Sequence, residues 1–376
     1  MQQAVPCMII RGGTSKGLYF LDRDLPPPGA GRDKTLLRLM GSPDIRQIDG
    51  LGGAVSVTSK AAILAPSSRE GIDVDYTFAQ VSVDKPMVSY TGNCGNISSG
   101  VGPFAIESGL VKAGASATRV RIFNTNTQKI MVEEVETPGG RVNYAGNFEI
   151  PGVPGGAAPV KVVVQDPGGA VCGSLLPTGS PVDELALPGF GPLPVSIVDA
   201  ANPLVFVLAA DIGMSGKEGP EEIDANPPLL ALLETIRGEA AKRLGFVEQA
   251  EESAWKSPTV PKMTIVAPPA EYTSASGEII QAERADLLGR MMSMQRPHPT
   301  YALTGAMCTA AAAAIPGTLV HRVRRPGADT RRLRIAHPGG ILEAGADHEN
   351  SSQGIRILNV YGFRTARLLM KGTAFC

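Results

Sequence analysis

The chain has 376 residues, enough for two domains that each bury a core of their own. With 35 basic side chains against 36 acidic ones and a formal net charge of −1, it has no field to draw in nucleic acid or a membrane surface. The five cysteines (7, 94, 172, 308 and 376) are widely spaced without a C-x-x-C pair and the four histidines show no ligand spacing, which excludes a dense disulfide framework and leaves no metal expected.

The opening MQQAVPCMIIRGG lacks the basic start, long apolar core and small-residue cleavage site of a secretory signal, and no apolar run nears 18 residues. Together with thiols expected to be reduced, this predicts a soluble cytoplasmic protein. Strand-type runs follow one another between Gly, Pro, Asn and Asp: CMII (7–10), AAILA (61–65), YTFAQVSVD (76–84), RVRIFNT (119–125), KIMVEEVET (129–137) and VKVVVQD (160–166). After the loop-rich stretches at 151–159 and 176–194 come PVSIVDA (194–200), LVFVLAA (204–210), KMTIVAP (262–268), LRIAHPGG (333–340) and GIRILNVYG (354–362). The pattern predicts mostly antiparallel sheet.

Four segments read as helices. Residues 227–246 carry an amphipathic pattern, and 283–295 (ERADLLGRMMSMQ) a weaker one; both are expected to coat a surface. The other two, 95–111 and 304–317, are small-residue and apolar on nearly every side, so each must be buried all round. Pro103 fits the first only in an opening turn, which moves its start towards residue 99. One such helix in each half predicts an α+β chain of two similar domains, each a curved, mostly antiparallel, barrel-like sheet around a central helix. The boundary is expected at 193/194, with 356–376 returning to the first domain and 194–355 forming the second.

Candidate chemistry begins with TGNCGN (91–96). A cysteine just before a helix N-terminus is favoured as thiolate, and the flanking glycines and asparagines allow an anion-binding backbone nest, so Cys94 is read as an acid/base thiol beside an anion site. In DGLGGAVSVTSKAAIL (49–64), alternation puts Lys60 on one strand face with Ser56 and Thr58, opposite Val57 and Ser59. An exposed lysine and a desolvated lysine able to act as a base both fit that pattern. RGGTSKGLYF (11–20) fails the P-loop spacing, and it is equally compatible with a plain hairpin turn and with a carboxylate cradle of hydroxyls and backbone N–H groups. DGLGGAVS fails G-x-G-x-x-G at Val55, so no dinucleotide is expected. Asn202-Pro203 before a strand and His298 with Thr304-Gly305 before the second buried helix complete the set; Cys308, inside that helix, is read as packing.

Cys94-Gly95-Asn96, Asn202-Pro203 and Thr304-Gly305-Ala306, each leading a strand or a buried helix, resemble the diaminopimelate epimerase fold. RGGTSKG, MGSPDIRQIDGLGGAVSVTSK, NCGNISSGVGPFAIESGLV and HPTYALTGAMCTAAAAAIPGTLV more narrowly resemble the 2-methylaconitate isomerase family, which includes methylitaconate Δ-isomerase and 4-oxalomesaconate tautomerase, over residues 1 to about 340. The resemblance implies two sheet-and-helix domains with the active site between them at both helix N-termini. It also implies a cofactor-independent 1,3-proton shift, with Lys60 and Cys94 as the catalytic pair and their base and acid roles open. The epimerases use two thiols, but Ala302 stands where the second would be. The implied partner is a small unsaturated di- or tricarboxylate, held by Thr14, Ser15, Gly95, Asn96, Asn202, His298, Thr304 and Gly305, with Arg11 and Lys16 as candidate charge partners. A homodimer is left open. The alternatives are an amino-acid racemase or epimerase of the same fold, and a relative that binds tricarboxylates without turnover.

Overall fold

Strands form where the chain alternates. In 117–124, Thr118, Val120, Ile122 and Asn124 point inward while Ala117 and Arg119 face water, the period-two pattern of a sheet with one buried face. The computed structural model describes residues 2–90, 94–293, 295–351 and 354–376. It divides into two compact units, the first made of residues up to Val163 with Phe363–Cys376, the second of Val164–Gly362.

Unit 1 contains β1 (Ala4–Gly12), β2 (Ser15–Leu21), α1 (Ala30–Met40), β3 (Lys60–Pro66), β4 (Val74–Val81), β5 (Val88–Ser89), α2 (Gly95–Ser98), α3 (Val101–Glu107), β6 (Ala117–Asn124) and β7 (Lys129–Glu136). β8 (Pro159–Gln165) spans the unit boundary. Unit 2 contains β9 (Asp183–Leu187), β10 (Gly191–Asp199), β11 (Pro203–Leu208), α4 (Pro220–Asp224), α5 (Pro227–Arg243), α6 (Ser253–Lys256), β12 (Lys262–Ala267), β13 (Tyr272–Thr273) and β14 (Ile279–Ile280). It continues with β15 (Leu287–Ser293), β16 (Arg296–Pro297), α7 (Leu303–Ala314), α8 (Leu319–Val323), β17 (Leu333–His337) and β18 (Gly340–Ser351). The last strand, β19 (Gly354–Phe375), gives its residues up to Gly362 to unit 2 and the rest to unit 1.

The pairings show that the two units repeat one topology. In unit 1, β1 and β2 form a hairpin, β2 runs parallel to β3, β3 antiparallel to β4, β4 parallel to β6, and β6 antiparallel to β7. In unit 2 the same order is β10/β11 hairpin, β11 parallel to β12, β12 antiparallel to β15, β15 parallel to β17, and β17 antiparallel to β18. In both, the buried helix follows the fourth strand of the series. α2 lies against β1, β2 and β3, and α3 against β3, β6 and β7. One helical segment can touch strands from both ends of a sheet only if the sheet curves round it. α7 meets β10, β11 and β18 in the same way.

The outer face of each sheet has its own core. In unit 1, Leu36, Leu39 and Met40 of α1 pack with Leu18, Phe20, Ala61, Ile63, Ala79 and Val81. In unit 2, Leu233, Ile236 and Ala240 of α5 pack with Val205, Val207, Met263, Ile265 and Leu288.

Five sequence expectations change. The helix expected at 283–295 does not form: Leu287–Ser293 is strand β15, because Thr264–Ala267 of β12 and Ile335–Ala336 of β17 pair it on both sides and that pairing overrides the helix-forming residues Leu, Arg and Met. Helix α1 has no counterpart among the expected elements. The first buried helix is broken into α2 and α3, with Pro103 in the opening turn of α3 where its missing N–H costs nothing. Ser56–Thr58 is a 3₁₀ turn and the strand starts at Lys60, so Lys60 does not share a strand face with Ser56 and Thr58. The units divide at 163/164 and 362/363 and not at 193/194 and 355/356, since Leu185, Leu187 and Leu193 belong to the core of unit 2.

Candidate functional site

The turn between β1 and β2, Gly13-Thr14, can be tight because glycine stands at its first position and at Gly12 before it. Gly13 has φ +51°, in the left-handed region, and a Cβ on either glycine would collide with Asn96 at the start of α2. The hairpin therefore lies directly on the helix start. Ser15 Oγ is 4.0 Å from Cys94 Sγ, and Asn96 Nδ2 donates to Thr14 Oγ1 at 2.9 Å. Asn96 Oδ1 accepts from Nε of Arg364 at 3.0 Å. Thus Thr14, Ser15, Cys94 and Asn96 come together, with a buried arginine behind them that local sequence gives no reason to choose. Burial pushes that guanidinium down to about 10, and the neighbouring Cys94 acts in the opposite sense.

Arg11 spends its guanidinium on the fold. Its Nη1 donates to the carbonyls of Gly13 and Thr365 at 2.9 and 3.0 Å and to Thr365 Oγ1 at 3.0 Å, clamping the turn to β19. Burial, followed by repulsion from Arg367, lowers its pKa. Lys16 sits opposite Arg11 in the hairpin, half-buried.

Cys94 is the N-cap of α2 in extended conformation, and its carbonyl accepts from the Ser98 N–H and hydroxyl at 2.8 and 3.0 Å. α2 is a single turn, so the field at Cys94 comes from first-turn amides without intrahelical acceptors and not from a long helix dipole. Thr91, Gly92 and Asn93, the first half of the expected nest, lie outside the described residues. Beneath α2, Tyr19 donates to the carbonyl of Ile97 at 2.6 Å. Glu133 accepts from the Gly102 N–H of α3 at 2.7 Å, and burial raises its carboxyl to about 8 against the pull of that bond.

Lys60 opens β3, only 8% exposed, between Gly17 of β2 and Gln80 of β4. A Cβ on Gly17 would stand 2.8 Å from the Lys60 carbonyl oxygen and 3.0 Å from Ile97 Cδ1, so the missing side chain lets α2 settle on the strands carrying Lys60. The Lys60 ammonium donates to Gln80 Oε1 and lies 5.2 Å from the centroid of the Phe78 ring. Gln80 and Arg364 are the two partners that sequence reasoning missed. Each meets its partner across a sheet or across most of the chain, and neither stands in a motif.

In unit 2, Asn202 lies in the β10/β11 turn, the position Thr14 holds in unit 1, and its Nδ2 is 3.5 Å from the Pro203 carbonyl. Ala302 is the N-cap of α7 as Cys94 is of α2. Thr304 and Gly305 are in the first turn of α7, and the His298 ring accepts from the Thr300 N–H at 3.0 Å. Cys308 is fully buried, its thiol pushed up chiefly by burial, consistent with packing. A separate cavity of about 580 Å³ in unit 2 holds none of these residues. Its charged lining is already engaged, Arg331 with Asp329 at 3.1 Å and Arg324 with the Ala313 carbonyl at 3.0 Å. Among the described residues, no group of three or more His, Cys, Asp or Glu could hold a metal ion, and no helix is long and apolar enough to cross a membrane.

The family model described as PrpF protein matches residues 2–376. The chain is 45% identical to 3-methylitaconate isomerase of Eubacterium barkeri over 375 residues, covering 100% of this chain and 97% of that one. It is 43% identical to (4E)-oxalomesaconate Delta-isomerase of Novosphingobium sp. (99% and 97% covered) and 41% identical to 2-methyl-aconitate isomerase of Shewanella oneidensis (99% and 96%). The crystal structure of a methylitaconate-delta-isomerase superposes with a TM-score of 0.89 at 45% identity, covering 100% of this chain and 96% of that one. A hydroxyproline epimerase from Agrobacterium vitis shares the fold at 10% identity and a TM-score of 0.58, with 100% and 94% covered.

Proposed function

The chain belongs to the PrpF family, and from that premise we propose that it is an isomerase of unsaturated di- or tricarboxylates that needs no cofactor and moves a C=C bond by a 1,3-proton shift. The observation that carries the mechanism is the packing of the helix capped by Cys94 onto the strands that carry the buried Lys60. One of the two, as free amine or thiolate, removes a proton from the allylic carbon. The C–H electron pair enters the π system and its charge collects on the conjugated carboxylate or keto oxygen. The other, as thiol or ammonium, returns a proton to the far end of the allyl unit. One C–H bond breaks and another forms, and nothing is oxidised.

The enolate-like intermediate is the costly species. Each preorganised N–H donor aimed at its oxygens is worth roughly 3 kcal/mol, and the first-turn amides of Gly95 and Asn96 with the Thr14 and Ser15 hydroxyls are suited to that task. Asn202, His298, Thr304 and Gly305 are proposed as further carboxylate-binding groups. Ala302, an alanine where a second thiol would stand, argues against two-thiol racemisation. All five cysteines are unbridged, which suits a reducing cytoplasm.

The test is incubation with 2-methylaconitate, 3-methylitaconate and (4E)-oxalomesaconate in D₂O, followed by NMR. Isomerisation of one of them with deuterium entering from solvent is expected, because the pair exchanges its proton between turnovers. No exchange on any of the three would sink the reading. Lys60→Ala and Cys94→Ala should each lower kcat by about 10²- to 10⁴-fold, the range for a lost general acid or base.

A further inference from the structure

We infer that Gln80 is a positioning residue for Lys60, which fixes the amine in place without setting a charge beside it; this rests on the catalytic role proposed for Lys60. The two residues face each other across the antiparallel β3/β4 pair, so their side chains rise from the same face of the sheet. Gln80 Nε2 donates to the carbonyls of Ser59 at 2.9 Å and Ser56 at 3.1 Å, with Val81 O a more distant neighbour at 3.4 Å. Those carbonyls can only accept. The amide nitrogen must therefore face them, and the amide oxygen must face Lys60 Nζ. The reversed orientation would set an oxygen against carbonyl oxygens and an NH₂ against an ammonium, so the amide has one state and the amine has one address.

The kind of partner matters as much as its place. Among the described residues no carboxylate forms an ion pair with Lys60; its neighbours are a neutral amide and the Phe78 ring. A carboxylate at position 80 would reach the same distance and align the amine equally well. It would also hold the proton on nitrogen, since an adjacent opposite charge shifts a titration by about one to three pH units towards the charged form. Glutamine gives alignment without that charge. The same side chain gathers in the approach to β3: the carbonyls it binds end the segment 42–59, and Gln47 Nε2 donates to Ser59 Oγ at 2.7 Å from the other side. Ser59 is thus gripped between two glutamines, and the first residue of β3 follows it directly.

The experiment compares wild type with Gln80→Glu and Gln80→Met. Lys60 reactivity towards an arylating reagent is followed from pH 6 to 11, with the modified residue identified by mass spectrometry. Steady-state kinetics are run on whichever of the three acids proves to be the substrate. In Gln80→Glu the midpoint of Lys60 labelling should move up by about one to three pH units. kcat at pH 7 should fall at least about tenfold, with KM changed much less. In Gln80→Met, which has the length but no acceptor, kcat should fall about tenfold or more with KM nearly preserved. An unmoved labelling midpoint in a folded Gln80→Glu protein, or full kcat in Gln80→Met, would overturn the inference. If the carboxylate prevents folding, the methionine variant decides alone. The labelling readout keeps the two readings separable. Turnover that survives Lys60→Ala would remove the catalytic assignment while leaving the Gln80 shift measurable, whereas an inactive Lys60→Ala with no shift in Gln80→Glu would remove only the role of Gln80.

Discussion

Glu133 shows how much a single buried side chain can hold. It is fully inaccessible, accepts one hydrogen bond from the Gly102 N–H through Oε2, and Oε1 has no hydrogen-bond partner among the described residues. Burial raises its carboxyl from 4.5 to about 8, so it is a neutral acid at pH 7. The folded state therefore keeps a proton that the unfolded chain releases at much lower pH. The stability linked to this proton is complete below the unfolded value of 4.5 and is lost as pH rises to about 8. Glu133→Gln keeps the acceptor and removes the titration. Urea unfolding of both proteins from pH 5 to 9 should show the wild type losing stability relative to the variant, at up to about 1.4 kcal/mol per pH unit. Parallel pH profiles would show that the carboxyl is not held neutral. Nothing in KIMVEEVET announces this: Glu133 and Glu134 read alike in sequence, and only the strand's facing separates the buried one from the half-buried one.

Among elements, the decisive joint is between the α2–α3 segment and the sheet around it. α3 can approach β7 because Gly102 has no side chain: a Cβ there would stand 2.7 Å from Glu133 Oε2 and 3.0 Å from Val135 Cγ2. Gly102→Ala gains about 1 kcal/mol of helix propensity but overfills a packed joint, which costs about 1–3 kcal/mol, and the carboxyl cannot retreat without giving up its bond to the same residue. The net expectation is a loss of up to about 2 kcal/mol, read as a lower urea midpoint with unchanged slope. Gly305→Ala in α7 should be milder, because its Cβ would collide with the flexible end of Met291 and otherwise meet the Tyr301 ring at an ordinary 3.7 Å. These joints explain what the sequence made legible. The buried helices could be recognised from their lack of a polar face, and most strands from alternation. α1 escaped because its apolar residues crowd into the last turns, and β15 because its residue types favour helix while its neighbours impose strand. Lys60 and Cys94 stood out through their motifs, whereas Gln80 and Arg364 are defined only by pairings the fold creates.

The whole molecule repeats one plan, yet it closes the two copies differently. Residues 164–362 form unit 2 without interruption, whereas unit 1 takes back Phe363–Cys376 from the far end of the chain. That returning segment pairs with β1 from Ala4↔Phe375 to Gly12↔Ala366, and it carries Thr365, which holds Arg11 and Gly13, and Arg364, which holds Asn96. A chain cut after Gly362 should keep the amides of β10–β15 protected from hydrogen exchange, while those of β1–β4 exchange freely and isomerase activity is lost. Protection of β1–β4 in the truncated chain would contradict this. The repeat itself was visible in sequence through its paired helix starts, but its boundaries were not, because the leucines that decide them lie in a stretch that reads as loop. The returning strand also sets an order on synthesis. The hairpin and helix start that carry Thr14, Ser15 and Cys94 are made before unit 2, and the strand that completes them is made after it. Between those two points a nascent chain carries Cys94 beside a sheet whose β1 edge is unpaired, and this is the interval in which a chaperone would matter most.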